Sequence, residues 1–293
     1  MKLILKSLVI CLALFAAYHV ALKRMPARLR SGGGAGSQPE RNLIAAQSYY
    51  YTQKNPPVVI VGSSIAERLH DLPRDWYQLT FPGGNVFTGM EVILRSGKRP
   101  KYVLVETNVL NMDPDRQLLD TLTYPVLKQA RNKFPALLEQ NKPSHVLVRA
   151  LNRGPKETAS ADPASGAFFD ELVRRRLKEL AEPLPPERLD EIMGRLHAQV
   201  DALQKRGIQV IFFEVPELAQ AEDRPLKLCI RERVRREFPE PRSHWIPMPD
   251  ATAYRTTDAV HLTSDSARRY CGVLSEYLAS LDARPTEGEA KSE

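Results

Sequence analysis

A doubly wound α/β domain around a buried parallel sheet is the fold this sequence predicts, and two observations carry that expectation. Short runs rich in β-branched residues occur at Val58-Val59-Ile60-Val61, at Tyr102-Val103-Leu104-Val105 and over 208–213. They lack polar alternation, as strands covered on both faces do. Helical patterns lie between them. Over 186–206, Leu189, Ile192, Met193, Leu196, Val200 and Leu203 recur at helical spacing, and Gly207 stops the helix. Strand and helix alternating in this way build parallel strands joined by helical crossovers. Weaker strands are expected at 77–81 and 244–246, and a final helix over 264–281.

The 293 residues suffice for one large or two modest domains with a sizeable core. Charged residues at 26% and apolar residues at 43% are ordinary globular values, which excludes wholesale disorder. The net charge of +7 is dispersed among acids: Arg174-Arg175-Arg176 sits beside Asp170, Glu171 and Glu179, as on a solvated helix face. No nucleic-acid partner is therefore expected.

Lys2 and Lys6 precede an apolar stretch from Ser7 to Leu22, closed by Lys23, Arg24, Arg28 and Arg30. Together with Leu3 to Leu5 this is close to the length of a bilayer-spanning helix. A cleaved signal peptide is the alternative, but Tyr18, His19 and Leu22 crowd the place where a small-x-small cleavage site would stand. Ile10 before Cys11 argues against a lipoprotein site. The expectation is an uncleaved signal anchor over 1–24, with basic residues on both sides, so that charge alone does not fix its orientation. A flexible tether and entry segment follows over 25–54, glycine-rich across 31–39. The main domain is expected over 55–282 with a helical insertion at about 112–185, and a loose tail over 283–293. Within the insertion, Val146-Leu147-Val148 fits strand or helix equally by periodicity.

Cys229 and Cys271 fall on predicted helices. A disulfide in an oxidising compartment is open, and two buried thiols is the preferred reading. No Cys/His cluster has zinc spacing, no phosphate loop occurs, and no metal or cofactor is expected.

The residues that suggest chemistry stand where strands end. The first strand runs into Gly62-Ser63-Ser64-Ile65 and then a helix. In an open parallel sheet that turn lies at the carboxyl edge, where ligands bind, and free N–H groups at the helix start favour a developing oxyanion. Serine is also a common helix N-cap, so this segment alone is equivocal. Asp258-Ala259-Val260-His261 precedes the final helix. An acid and a histidine three positions apart on a turn can face the same way, the carboxylate holding Nδ1–H and leaving Nε2 to take a serine proton. The other five histidines lack such a partner. Pro82-Gly83-Gly84-Asn85 and Glu106-Thr107-Asn108 follow the second and third strands, offering a close backbone approach and a neutral side-chain N–H donor. Each is an ordinary turn by itself. Together, successive strand ends supply serine, glycine and asparagine, and acid and base arrive last.

That order resembles the SGNH, or GDSL-like, hydrolase superfamily over roughly 57–281. The resemblance implies a three-layer α/β/α sandwich with a mainly parallel sheet of about five strands. It implies Ser64 as nucleophile and Asp258 and His261 as the rest of a triad. The oxyanion hole would be built from Ser64, Gly84 (with Gly83 the second choice) and Asn108 (with Asn111 the fallback). Ser63 stands where the family often has Asp, and Glu106-Thr107-Asn108-Val109 replaces the usual Gly-x-Asn-Asp. Gly-Ser-Ser variants with an N-terminal anchor resemble envelope-modifying members. They imply a serine esterase or O-acyltransferase acting on an acylated exported polysaccharide or other envelope polymer, anchored in the inner membrane with its domain outside the cytoplasm. A multi-spanning membrane acyltransferase is the implied partner. A non-catalytic envelope protein that keeps the fold for binding or assembly is the alternative.

Overall fold

The computed structural model describes residues 2–26, 36–52, 54–151 and 166–283. The glycines of the expected tether, except Gly36, and the tail beyond residue 283 lie outside the described residues. In chain order the first elements are helix α1 (Lys2–Arg24), helix α2 (Gln38–Gln47), strand β1 (Val58–Gly62), helix α3 (Ser64–Glu67), strand β2 (Trp76–Thr80), helix α4 (Val86–Ser96) and strand β3 (Tyr102–Glu106). Five helices follow: α5 (Arg116–Thr123), α6 (Pro125–Lys133), α7 (Pro143–Leu151), α8 (Ala167–Glu179) and α9 (Pro186–Gln204). The chain then continues through β4 (Gln209–Phe213), α10 (Pro225–Glu237), β5 (His244–Trp245) and α11 (Ser264–Asp282).

These elements form two compact units, Met1–Lys54 with Asp115–Glu157, and Asn55–Pro114 with Thr158–Glu293. The second is the α/β unit. Its five strands are all parallel in the order β2-β1-β3-β4-β5, so the chain starts next to one edge and crosses over at β1, the topological switch. Strand alternation sends two sets of side chains to opposite faces. Val58, Ile60, Tyr102, Leu104, Ile211 and Phe213 pack under α3 and α11, against Ile65, Tyr270 and Leu274 among others. Val59, Val61, Val103 and Val105, all fully buried, face the other way, where α4 and α9 cover the sheet. Helices on both faces of a parallel sheet make the expected three-layer α/β/α sandwich, and the strands read as unbroken apolar runs because neither face meets water.

The expected strands and the final helix are present, and Val146-Leu147-Val148 is helical, in α7. Two boundaries differ. The stretch read as one insertion over 112–185 is divided: Asp115 onward joins the N-terminal residues in the first unit, whereas α8 belongs to the α/β unit. Residues 38–47, read as part of the tether, form α2, where Pro39 occupies the first turn, as its missing N–H allows, and Ile44 and Ala46 are buried. The helix α1 is long and apolar enough to cross a membrane.

A close helix–sheet approach is made at Gly89 of α4, where a Cβ would stand 2.9 Å from Val61 Cγ1 and 3.2 Å from the Leu79 carbonyl oxygen. Gly89→Ala is expected to push α4 off the sheet and destabilise the domain by roughly 1–3 kcal/mol, the usual cost of overpacking. Urea unfolding followed by circular dichroism measures it, and a midpoint equal to that of the unsubstituted protein would contradict this packing.

Candidate active site

The turn after β1 assigns different tasks to its two serines. Ser63 is the N-cap of α3: its Oγ accepts from the Ile65 N–H at 3.1 Å. The same hydroxyl donates to Glu106 Oε1 at 2.8 Å, and the Ser63 N–H donates to Glu106 Oε2 at 2.7 Å. The Ala66 N–H reaches that oxygen at 3.3 Å. Ser63 is thus consumed by structure, and Ser64, half-buried, is left to project. The capping reading of the Gly-Ser-Ser turn belongs to Ser63.

Glu106 ends the apolar strand β3 with a fully buried carboxyl, beside Gly62. A Cβ on Gly62 would lie 2.4 Å from Glu106 Oε2 and 2.6 Å from Ala66 Cβ, so glycine there is the space that the carboxyl occupies. Burial pushes the Glu106 carboxyl up to about 7, against the lowering pull of its bonds from Ser63 and Ala66. Sequence reasoning treated this residue only as a departure from a motif. The available signal was an acid closing a wholly apolar strand, one residue beyond the pairing of Val61 with Val105.

The acid and base come from a closed loop. Thr256 and Leu262 form an antiparallel bridge, and the Thr257 N–H donates to the His261 carbonyl at 2.8 Å. Within it, Asp258 Oδ1 accepts from the His261 N–H at 2.8 Å and the Val260 N–H at 3.3 Å. This tight turn holds buried Ala259 at φ +69°, a left-handed conformation that costs a non-glycine residue about 1 kcal/mol or more. Asp258 Oδ2 lies 2.7 Å from His261 Nδ1, and His261 Nε2 lies 3.0 Å from Ser64 Oγ. Because a carboxylate only accepts, Nδ1 carries the hydrogen and the Nε2 lone pair faces the serine hydroxyl. Burial raises the Asp258 carboxyl, but the His261 ring and backbone N–H outweigh it and hold it at about 2, ionised throughout the neutral range. Ser64, His261 and Asp258, 197 residues apart at their widest, therefore form one hydrogen-bonded relay.

The expected oxyanion donors are arranged differently. The Gly84 N–H donates to the Phe81 carbonyl at 2.8 Å, closing a turn in which Gly83 takes φ +67°, so Gly84 spends its donor on the backbone. Asn108 is buried and turned inward: its amide donates to the Val215 carbonyl at 2.8 Å and to Glu217 Oε1 at 3.1 Å, and accepts from the Val215 N–H at 2.8 Å. Both amide hydrogens of Asn108 are taken, so it braces the segment after β4. Asn111, the fallback, gives its carbonyl to Arg188 at 3.2 Å. The Ser64 N–H takes no bond among the described residues and remains available to an oxygen beside Ser64 Oγ.

Behind Asn108 lies a buried ionic cluster. Glu217 meets Arg176 of α8 at 2.6 Å and Lys227 of α10 at 3.1 Å, and Lys227 also meets Glu214 and Glu222. Burial disfavours ionised Glu217, and the two cations outweigh it, holding its carboxyl below the ordinary range. Lys227, correspondingly, stays charged. Cys229 and Cys271 are free thiols, and burial raises Cys271 to about 12, which keeps it unreactive.

Folding leaves Glu106 with a carboxyl that binds its proton more tightly than in the unfolded chain. Its contribution to stability is therefore full below the ordinary carboxylate range near 4.5 and is lost as pH rises through about 7. Glu106→Gln should flatten the fall in melting temperature between those pH values. The expected difference is on the order of 3 kcal/mol across the window. Parallel slopes for both proteins in a pH series of thermal melts would contradict a buried, proton-retaining Glu106.

Neither a model of a known protein family nor any curated protein matches the chain.

Proposed function

We propose that this protein is a membrane-anchored serine-dependent ester hydrolase or O-acyltransferase of the SGNH type. Its substrates would be acyl esters of an exported polysaccharide or other cell-envelope polymer, and its anchor would sit in the inner membrane with the α/β unit on the far side from the cytoplasm. The observation that carries the reading is the relay of Ser64 Oγ, His261 Nε2 at 3.0 Å and Asp258 Oδ2 at 2.7 Å from Nδ1. These are the groups and distances that acyl transfer needs. His261 takes the Ser64 proton as Oγ attacks the ester carbonyl, and the imidazolium so formed is stabilised by ionised Asp258. The tetrahedral oxyanion lies against the Ser64 N–H. His261 then returns the proton to the departing alcohol. Water or a sugar hydroxyl, deprotonated by the same histidine, takes the acyl group from Ser64, and His261 returns that proton to the departing Ser64 Oγ. A multi-spanning membrane acyltransferase that delivers the acyl group is the partner this reading implies.

One observation favours a different reading, an SGNH-like fold kept for binding or assembly. Gly84 and Asn108, two of the three expected oxyanion donors, both spend their donors inside the protein. A fluorophosphonate probe separates the two readings. Enzyme is expected to gain the mass of one phosphonyl group on Ser64, and Ser64→Ala none. Asp258→Asn should fold normally and lower turnover of p-nitrophenyl acetate by about ten-thousand-fold, as loss of the orienting carboxylate does in such triads. Folded protein that neither labels at Ser64 nor turns over the ester would leave the binding reading standing.

A further inference from the structure

The first unit carries a surface whose composition does not suit water. Outside α1, most of the large apolar side chains that stand exposed among the described residues fall between 124 and 151, including Val126 at 71%, Leu147 at 59% and Leu151 at 71% exposure. Large apolar side chains left exposed in such concentration mark a binding surface. Its exposed charges are one-sided: Lys128, Lys133 and Lys142 are exposed, whereas Arg131 and Glu139 are both buried, Glu139 paired with Lys142.

What covers this face follows from where α1 touches it. The Phe15 ring meets the Phe134 ring edge-on, with centroids 5.9 Å apart, and the His19 ring meets the same ring at 5.6 Å. The Tyr18 hydroxyl donates to the Asn141 carbonyl at 2.6 Å. Phe15 lies seven residues before the end of the apolar stretch at Leu22. At helical rise it is about 10 Å inside that end. A membrane crossed by α1 therefore also surrounds the segment Phe134–Asn141. The backbone there is irregular, and several of its carbonyls are met from within: Pro135 O accepts from the Asn141 amide at 2.7 Å, and Gln140 O from Arg149. The Glu139 carbonyl faces His145 Nδ1 at 3.0 Å. Non-helical backbone survives at membrane depth only when its polar groups are paired inside the protein.

We propose that residues 124–151 form a second membrane contact beside α1, seated in the headgroup and outer acyl region of an anionic bilayer. Val126, Leu127, Leu147, Val148 and Leu151 enter the acyl boundary, and Lys128, Lys133 and Lys142 lie among the lipid phosphates. Apolar side chains flanked by lysine are the pattern of interfacial helices, and each lysine near an anionic surface adds attraction. The inference rests on the membrane reading of α1 and is independent of any chemistry at Ser64.

The test uses the full chain in lipid nanodiscs of phosphatidylcholine with phosphatidylglycerol, doped with a phospholipid carrying a diazirine high on its acyl chain. After irradiation, peptide mass spectrometry is expected to find lipid adducts on α1 and on 124–151. The triple variant Val126→Glu, Leu147→Glu, Leu151→Glu should lose the second set several-fold and keep the first, with an unchanged circular dichroism melt. Lys128→Glu, Lys133→Glu, Lys142→Glu should lose it in discs with phosphatidylglycerol. Adducts confined to α1, with 124–151 instead modified by a water-soluble diazirine, would overturn the proposal and leave this face to a protein partner. Adducts on 124–151 that survive both triple variants would overturn it as well.

Discussion

A carboxyl without water around it sets the geometry of the turn from which Ser64 projects. Glu106 receives the Ser63 N–H, the Ser63 hydroxyl and the Ala66 N–H, so three consecutive features of the strand-to-helix turn converge on one side chain. A buried acceptor left unmet costs more than a met one contributes, so the turn and the acid specify each other. The same contact explains Gly62, whose missing Cβ is where the carboxyl lies, and explains why two serines stand in tandem: one is held so that the other is free. In the resembled family an acid often stands before the nucleophile and a glycine opens the third block. Here the acid is on β3 and Ser63 precedes Ser64, which keeps one carboxyl and one small residue in contact across neighbouring strands.

The topology then determines what can meet Ser64. In a parallel sheet every strand presents its carboxyl end at the same edge, and β1 lies between β2 and β3 at the point where the chain reverses direction across the sheet. The loop that brings His261 must therefore come from the layer of α11, which packs on the same face of β1 as α3 does. Its internal bonds, from the Thr256–Leu262 bridge to the N-cap Thr263 of α11, hold the His261 loop in one shape. Such preorganisation is what a proton relay needs, because Asp258 is already ionised and already holds Nδ1.

Much of this was legible in the sequence, and the parts that were not share a cause. Strands β1, β3 and β4 announce themselves because both faces are buried, and Asp258 with His261 is readable because their bond is local, three residues apart. The run at 146–148 is ambiguous because a short apolar segment serves helix and strand equally, and α7 buries only Val146 of those three. Residues 38–47 read as linker because most are polar, yet Pro39 marked a helix start. Gly84 and Asn108 occupy the expected strand ends; the Gly84 bond to Phe81 closes a local turn, but nothing local reports that Val215 and Glu217 take the Asn108 donors. Glu106 was hidden for the opposite reason, since its partners lie 40 and 43 residues away. Position along a strand is a sequence property; whether an N–H is free is a tertiary one.

The ionic cluster behind Asn108 follows from the same distinction. Burying Glu217 beside Lys227 and Arg176 confers little net stability, because desolvation consumes most of the attraction. What the cluster does provide is a fixed position for a carboxylate oxygen, and Asn108 is clamped between that oxygen and the Val215 backbone. Arg176 comes from α8 and Lys227 from α10, so two helices outside the serine turn and the histidine loop decide which way an amide at the end of the sheet points. An amide so held can turn outward only by giving up its bonds to both Glu217 and the Val215 backbone. Asn108 is therefore a brace for the segment after β4, whereas the Ser64 N–H takes no bond among the described residues.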